Sequence, residues 1–291
     1  MRRVLGIIMF CLTAGGVGAQ VVDTLRVLAI GNSFSEDAVE QYLWDLGHEA
    51  GVELIIGNAF RGGWSLSAHW NDARSKAADT EFRKVAAGKR KNLGKRTLRD
   101  IITDEPWDVI TFQQVSQEAG LEASYEPGLS LLIGYVRALA LVDSVKLGFH
   151  QTWAYAQDSD HRGFANYDRN QFLMYAHITT AVEEVMAFHR GDLSFYVPSG
   201  TAIQNARTSS LVNPAIDEKP VNRELTRDGF HLNYTIGRYT AACTWLEALT
   251  GINPVGLKTR PKGITREQAE LAQRAAHAAI LVPMAVTPIT E

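Results

Sequence analysis

The stretch Val27-Leu-Ala-Ile-Gly-Asn-Ser-Phe-Ser35 is the part of the sequence from which the fold can be inferred. Its first four residues are apolar and favour a buried β-strand, and Gly31 then permits a tight turn before the acidic start of a helical pattern. A strand of this kind would present Ser33 at the carboxyl edge of a sheet, where ligands bind in open α/β folds. The alternative is that Ser33 only caps the following helix.

The composition is that of an ordinary globular protein. The chain has 291 residues, of which 46% are hydrophobic and 21% charged, and this length suits one large domain or two small ones. Its formal net charge of -3 gives no reason to expect a nucleic acid or an anionic membrane as a partner. The function must therefore be inferred from local patterns in the sequence.

The first 19 residues have the pattern of a secretory signal peptide. Arg2 and Arg3 precede an apolar run at residues 4–12, and small residues then lead to Ala19. The run is too short to span a bilayer as a stable helix, and the alternative is a short amphipathic or buried N-terminal helix. We expect cleavage after Ala19 and export to the periplasm or the cell exterior. Cys243 would then be the only cysteine left, so no internal disulfide could form.

Strand and helix patterns alternate along the rest of the chain. Runs rich in β-formers predict strands at residues 25–30, 53–56, 107–112, 145–149 and 193–197. Helical periodicity predicts helices at residues 36–51, 125–142, 172–188, 234–249 and 266–282. Alternation of this kind indicates βαβ units and a mainly parallel sheet with helices on both faces. We expect a five-stranded, flavodoxin-like α/β sheet in a single domain at residues 22–291, with its core at about 25–250 and a C-terminal helix at 264–282.

Two segments do not fit this alternation. Residues 71–104 are rich in Lys and Arg and contain Gly88 and Gly94, which indicates either a hairpin or a pair of short helices inserted after the second strand. Such a basic run is usually a solvated face, and the alternative is a site for a polyanion such as an acidic polysaccharide. Residues 208–224, which contain two prolines, are expected to form a loop over part of the active edge.

An aspartate and a histidine lie close together near the end of the chain, in Thr226-Arg-Asp-Gly-Phe-His231. A serine at its free pKa is a poor nucleophile, and it needs an adjacent base that is itself oriented by a third group. Gly229 permits a turn that would bring the Asp228 carboxylate to Nδ1 of His231, which leaves Nε2 free to take the proton of Ser33. The alternatives are an ordinary turn aspartate and a partly buried loop histidine.

A hydrolytic serine also needs hydrogen-bond donors for the oxyanion that forms during the reaction. The backbone N–H of Ser33 is one candidate, and those of Gly62 and Gly63 are others because glycine lets the backbone approach a substrate closely. The third strand is followed by three glutamines whose side-chain amides could serve at the same edge: Gln113, Gln114 and Gln117.

Other residues are candidates for substrate binding or are interpreted as structural. A wall that binds a sugar could be lined by Trp64 and by residues after the fourth strand: His150, Gln151, Trp153 and Tyr155. Six further histidines lack any spacing suited to a metal ion and are interpreted as structural or exposed: His48, His69, His161, His177, His189 and His277. No nucleotide-binding pattern is present, so we expect neither a metal nor an organic cofactor.

The sequence resembles the SGNH (GDSL-like) hydrolases in Gly31-Asn-Ser-Phe-Ser35, in the glycines after the second strand and in Asp228-x-x-His231. The blocks Gln113-Gln114, His150-Gln-Thr-Trp153 and Pro198-Ser-Gly-Thr-Ala-Ile-Gln204 make it similar to a Bacteroidetes-type SGNH domain formerly of unknown function, over about residues 25–249.

The resemblance implies a three-layer α/β/α fold, with Ser33 as the nucleophile, His231 as the base and Asp228 as the group that orients it. It also implies oxyanion donors from Ser33, from a glycine, for which we choose Gly63, and from an amide side chain. The sequence lacks the family's Gly-x-Asn-Asp block, so we expect Gln114 or a neighbouring glutamine to supply that amide.

We therefore expect an exported serine esterase that removes acetyl groups from a polysaccharide or oligosaccharide by a Ser-His-Asp acyl-enzyme mechanism. The substrate class rests on the resemblance, since a fold does not fix a function. One alternative is a carbohydrate-binding protein that has lost catalysis on the same scaffold, and the missing Asn block is its support. The other is a lipase or thioesterase, which would act on long acyl chains.

Overall fold

The computed structural model describes residues 24–212 and 225–290. The predicted signal peptide at residues 1–19 and most of the predicted loop at 208–224 lie outside this range. The strands are β1 (Thr24–Gly31), β2 (Glu53–Phe60), β3 (Thr80–Ala86), β4 (Lys89–Arg96), β5 (Val109–Phe112), β6 (Lys146–His150) and β7 (Leu193–Val197). The α-helices are α1 (Ser33–Val39), α2 (Leu43–Glu49), α3 (Leu66–Ser75), α4 (Leu98–Ile102), α5 (Gly128–Leu139), α6 (Gln171–Phe188), α7 (Ser199–Ala206), α8 (Ile236–Thr250) and α9 (Arg266–Leu281). Three 3-10 helices lie at Ser116–Glu118, Glu122–Ser124 and Arg162–Tyr167.

The strands form one sheet in the order β4-β3-β2-β1-β5-β6-β7. Strands β1, β2, β5, β6 and β7 run parallel to one another, whereas β3 runs antiparallel to β2 and β4 runs antiparallel to β3. The carboxyl ends of the parallel strands therefore meet at one edge of the sheet. Strand β1 lies between β2 and β5, where the strand order reverses, and ligands bind in α/β folds at such points.

The sheet has seven strands rather than the five that we predicted. All five predicted strands are present, and the additional pair is a hairpin in the basic segment at residues 71–104, which was one of our two alternatives. Ala87 and Gly88 form its turn with φ angles of 47° and 69°. Strand β3 buries Phe82 and Val85, but β4 is almost wholly exposed and basic. The alternation of apolar residues that identifies a strand is therefore confined to half of the hairpin.

Several helices differ from the prediction. The single helix that we predicted at residues 36–51 is two helices, α1 and α2. Helices α3 and α7 were not predicted, and α4 lies in the basic segment, where a pair of short helices was the alternative to the hairpin. Helix α7 follows Pro198 directly, and all of its residues are buried. A helix that is buried on every side has no polar face, so it lacks the periodicity by which a surface helix is identified in a sequence.

Helices cover both faces of the sheet, which gives the predicted three-layer α/β/α architecture. Helices α1, α2, α8 and α9 pack together in one layer, and α3, α4 and α5 pack together in the other. The apolar residues in the second half of β1 are buried between them, Val27, Leu28 and Ile30 among them. Within the described residues, no helix is long and apolar enough to cross a membrane.

Gly200 lies where α7 approaches the segment that follows β6. A Cβ at this position would lie 2.1 Å from the carbonyl oxygen of Thr152, which is a backbone atom and cannot rotate aside. We expect Gly200→Ala to lower the free energy of unfolding by about 1–3 kcal/mol, as in other overpacked sites. Urea denaturation would measure the change.

Gly134 provides the matched control. Like Gly200 it lies in a helix, but it is exposed, and a Cβ there would have no atom within 4 Å. Gly134→Ala should raise the free energy of unfolding by up to about 1 kcal/mol, since alanine has the higher helix propensity. If Gly200→Ala left the free energy of unfolding unchanged or raised it, the close approach of α7 to Thr152 would be contradicted.

Candidate active site

Asn32 organises the turn after β1 and caps the helix that follows, so the side chain of Ser33 is not needed as a cap. Asn32 is the N-cap of α1, and its Oδ1 accepts a hydrogen bond from the backbone N–H of Phe34 at 3.0 Å. The same oxygen accepts from Nε2 of Gln113 at 2.7 Å, and Asn32 Nδ2 donates to the carbonyl oxygen of Trp64 at 3.0 Å. Asn32 thus joins the ends of three neighbouring strands, and Ser33 is the first residue of the helix rather than its cap.

Ser33, His231 and Asp228 form a continuous chain of hydrogen bonds. Ser33 Oγ lies 2.8 Å from Nε2 of His231, and His231 Nδ1 lies 2.7 Å from Oδ2 of Asp228. The other carboxylate oxygen of Asp228 accepts from the backbone N–H groups of Phe230 and His231, at 3.2 and 2.8 Å. Gly229, with a φ of 92°, makes the turn that brings the carboxylate back onto the imidazole ring.

The charge of Asp228 is set by these contacts. Partial burial would raise the pKa of its carboxyl, but the hydrogen bonds from His231 and Phe230 outweigh burial and lower the pKa below its usual value. The carboxylate is therefore ionised and accepts a hydrogen bond from Nδ1–H of His231, which leaves the lone pair of Nε2 directed at Ser33. The arrangement can remove the proton of the serine hydroxyl.

Asp37 holds the loop with Asp228 and His231 against α1. Its side chain is fully buried one turn after Ser33, and its Oδ2 accepts from the backbone N–H of Leu232 at 2.8 Å. Arg227 donates to both carboxylate oxygens at 3.0 and 3.1 Å, and Arg238 makes a second ion pair with it. Asp37 could not be identified from the sequence, because its partners lie far away in the chain.

Trp153 supports the same loop and does not reach the cavity beside Ser33. Its indole ring is fully buried and stacks on Phe34 with a centroid distance of 4.3 Å. Its Nε1 donates to the carbonyl oxygen of Phe230 at 2.7 Å. We predicted Trp153 as part of a sugar-binding wall, and this position argues against that role because no face of the ring is open to a ligand.

His150 is likewise buried, so the structure does not favour its predicted role in substrate binding. Its Nδ1 lies 3.0 Å from Oε1 of Gln113, and its Nε2 lies 3.0 Å from Oγ of Ser199. Because an amide oxygen can only accept, Nδ1 carries the proton and Nε2 accepts from the Ser199 hydroxyl. Burial lowers the pKa of His150 to about 3, so the ring is neutral and orients the amide of Gln113 that bonds to Asn32.

The backbone of Gly63 is available as an oxyanion donor, whereas the side chain of Gln114 is not. Gly63 is exposed on the loop after β2, and its φ of 72° favours glycine. Nε2 of Gln114 donates to the carbonyl and hydroxyl oxygens of Ser124, and its Oε1 accepts from the backbone N–H groups of Leu66 and Val115. Both of its amide hydrogens are therefore used, which argues against our choice of Gln114 as a donor.

Gln117 is the one of the three glutamines that faces the cavity beside Ser33. The cavity has a volume of about 310 Å³, and it is lined by Asn32, Ser33, Phe34, Gly62, Gly63, Val115, Ser116, Gln117, His161, Phe230 and His231. A volume of about 310 Å³ is at the low end for binding sites of small molecules. Trp64 follows Gly63 beside this cavity, but its indole ring packs edge-on against the buried His69.

A larger cavity of about 1060 Å³ lies at the opposite edge of the sheet, around Thr24, Asp108 and Lys146. It holds none of the residues in the Ser33–His231–Asp228 chain. In the part of the chain that the structure describes, no group of three or more His, Cys, Asp or Glu side chains could hold a metal ion.

Comparison with known proteins adds a family and a fold. Residues 26–279 match the family described as "Domain of unknown function (DUF4886)". A DUF4886 family protein from Bacteroides uniformis ATCC 8492 is 45% identical, with a TM-score of 0.85 over 92% of this chain and 98% of that one. A putative SGNH hydrolase from Slackia heliotrinireducens is 18% identical, with a TM-score of 0.50 over 78% of this chain and 99% of that one. An acetyl xylan esterase gives a TM-score of 0.45 at 16% identity over 77% of this chain and all of its own, and no curated protein matches.

Two buried histidines make the folded protein sensitive to acid. Burial lowers the pKa of His69 to about 4 and that of His150 to about 3, whereas a histidine in an unfolded chain titrates near about 6.5. Below that pH the unfolded chain binds more protons than the folded one, so stability falls as the pH falls. Each neutral histidine should contribute a slope of about 1.4 kcal/mol per pH unit down to its folded pKa.

Chemical denaturation over a pH series between about 7 and 4 would measure this slope. His150→Gln should have a shallower slope than the wild type, although its stability at neutral pH is lower. His48→Gln serves as the control, because His48 is largely exposed. Equal slopes for His150→Gln and the wild type would show that His150 is not held neutral by the fold.

Proposed function

This chain belongs to the DUF4886 family, and we propose that it is an exported serine esterase that removes short acyl groups, acetyl above all, from a polysaccharide or oligosaccharide. The observation that carries the proposal is the hydrogen-bonded chain from Ser33 through His231 to Asp228, whose serine and histidine line a cavity together with the exposed Gly62 and Gly63. A serine that only capped a helix would need neither an oriented histidine nor access to a cavity.

In the first half of the reaction, Ser33 Oγ attacks the carbonyl carbon of the ester while Nε2 of His231 takes its proton. The oxyanion of the tetrahedral intermediate accepts from the backbone N–H groups of Ser33 and Gly63, with the side chain of Gln117 as the amide donor that remains available. The bond to the alcohol oxygen then breaks, and His231 returns its proton to the departing alcohol. The product is an acyl group on Ser33.

In the second half, His231 takes a proton from a water molecule, and the water oxygen attacks the acyl carbon. The bond to Ser33 Oγ breaks, the proton on Nε2 restores the serine hydroxyl, and the carboxylic acid leaves. Asp228 keeps His231 in the required tautomer and stabilises the imidazolium in both halves. All of the proton transfers use residues of this chain.

The proposed substrate class rests on the size of the cavity and on the N-terminal sequence. A cavity of about 310 Å³ suits a short acyl group, and its open side can accept a bulky alcohol. The signal-peptide pattern at residues 1–19 would bring the protein into contact with extracellular or periplasmic glycans. A lipase or thioesterase would require room for a long acyl chain.

Ser33→Ala tests the nucleophile with a matched control in the same stretch. We expect the wild type to hydrolyse 4-nitrophenyl acetate faster than the butyrate and octanoate esters, and Ser33→Ala to lower kcat by at least about 1000-fold, because the covalent path is removed. Ser35 is buried and bonds to Asn32 and Asn58, so Ser35→Ala should lose some stability but keep its activity.

Each outcome of this comparison has a different meaning. Activity that survives in Ser33→Ala would contradict the proposed nucleophile. Preference for the octanoate would favour a lipase or thioesterase. A folded wild type without any esterase activity would favour the carbohydrate-binding alternative.

A further inference from the structure

His161 lies in the wall of the cavity that contains Ser33, although our sequence analysis interpreted it as structural or exposed. It precedes the 3-10 helix Arg162–Tyr167, and its Nδ1 accepts a hydrogen bond from the backbone N–H of Gly163 at 3.0 Å. Its ring packs against those of Phe230 and Tyr155, with centroid distances of 4.7 and 4.9 Å. These contacts fix the orientation of the ring.

The bond to Gly163 also fixes the tautomer. Because Nδ1 accepts, the proton of the neutral ring is on Nε2, which is then a hydrogen-bond donor. Burial lowers the pKa of His161, and the nearby Arg162 and His231 lower it further, which favours the neutral ring. No described residue accepts from Nε2, and this atom is not among the fully buried polar atoms that lack a partner. Nε2–H is therefore an oriented donor that solvent or a ligand can reach.

The strand order places His161 on the other side of Ser33 from Gly63, one of the proposed oxyanion donors. Gly63 follows β2 and His161 follows β6, and the sheet order β2-β1-β5-β6 puts them on opposite sides of Ser33. His161 instead lies on the side of His231, with Phe230 in contact with both rings. In the proposed reaction His231 gives its proton to the departing alcohol, so the alcohol must lie on this side.

We propose that His161 is a substrate-contacting residue whose Nε2–H donates a hydrogen bond to an oxygen of the sugar on the alcohol side of the ester. This inference rests on the proposed esterase function. An alcohol that carries hydroxyl or ring oxygens close to the ester would use this donor, whereas 4-nitrophenol would not. His161 would thereby favour sugar esters over simple activated esters.

The test compares two substrates on the same protein samples, so that the fraction of folded enzyme cancels in the ratio. The substrates are 4-nitrophenyl acetate and singly acetylated methyl glycosides and xylo-oligosaccharides, and the measured quantity is the ratio of their kcat/KM values. His161→Phe keeps a ring but loses the donor, and we expect it to lower kcat/KM for the sugar ester about 10-fold, with a change of less than about 2-fold for 4-nitrophenyl acetate. His161→Gln retains a side-chain N–H and should recover most of the loss.

His48→Phe is the matched control, because His48 is largely exposed on α2, outside the cavity, and both substrates should be hydrolysed as by the wild type. An unchanged ratio in His161→Phe would overturn the proposal, whether both activities persist or both fall together. A wild type that hydrolyses 4-nitrophenyl acetate but none of the sugar esters would also overturn it. If the wild type hydrolysed neither substrate, the proposed esterase function itself would fail.

Discussion

The geometry of the candidate site depends on the hydrogen bond and ion pairs of the buried Asp37 carboxylate. It joins α1, which begins with Ser33, to the backbone of Leu232, 195 residues further along the chain and next to His231. An ion pair that is removed from water is costly, and its formation need not stabilise the fold overall, but the loss of one partner leaves the other charge buried and unpaired. Arg227 and Arg238 therefore fix where Asp37 can lie, and Asp37 in turn fixes the distance between Ser33 and His231.

A second group of buried hydrogen bonds fixes the position of the loop that contains Gly63, on the other side of Ser33 from His231. Asn32 bonds to Gln113, Gln113 to His150, and His150 to Ser199, so that one chain of hydrogen bonds crosses from β1 through β5 and β6 to α7. Every member has a defined donor or acceptor role, which favours one arrangement over others in a low-dielectric interior. The result is that the carbonyl of Trp64, and with it the adjacent Gly63, is held at a fixed position relative to Ser33. The proposed oxyanion donors are thus positioned by residues that do not touch a substrate.

The sequence allowed the parallel strands and the local part of the site to be predicted, because these depend on near neighbours. Asp228 and His231 are three residues apart, and Gly229 makes their contact a local turn. The position of a residue after a strand, in contrast, does not tell which way its side chain points. Gln114 and Trp153 follow strands β5 and β6, and His150 is the last residue of β6, but all three are buried. The positions of Asp37 and His161 could not be predicted either, since both depend on partners from distant segments. The hairpin strands β3 and β4 were only one of two alternatives, because the exposed, basic β4 lacks the alternation of apolar residues that identifies a strand.

In the proposed mechanism, Ser33 carries the acyl group during turnover. The most direct measurement is to mix the protein with 4-nitrophenyl acetate, quench in acid within the first turnover, and locate the added acetyl group by peptide mass spectrometry. We expect one acetyl group on the peptide that contains Ser33 and none in the Ser33→Ala protein. Release of 4-nitrophenol with Ser33 unmodified, or with the acetyl group on another residue, would contradict the proposed mechanism.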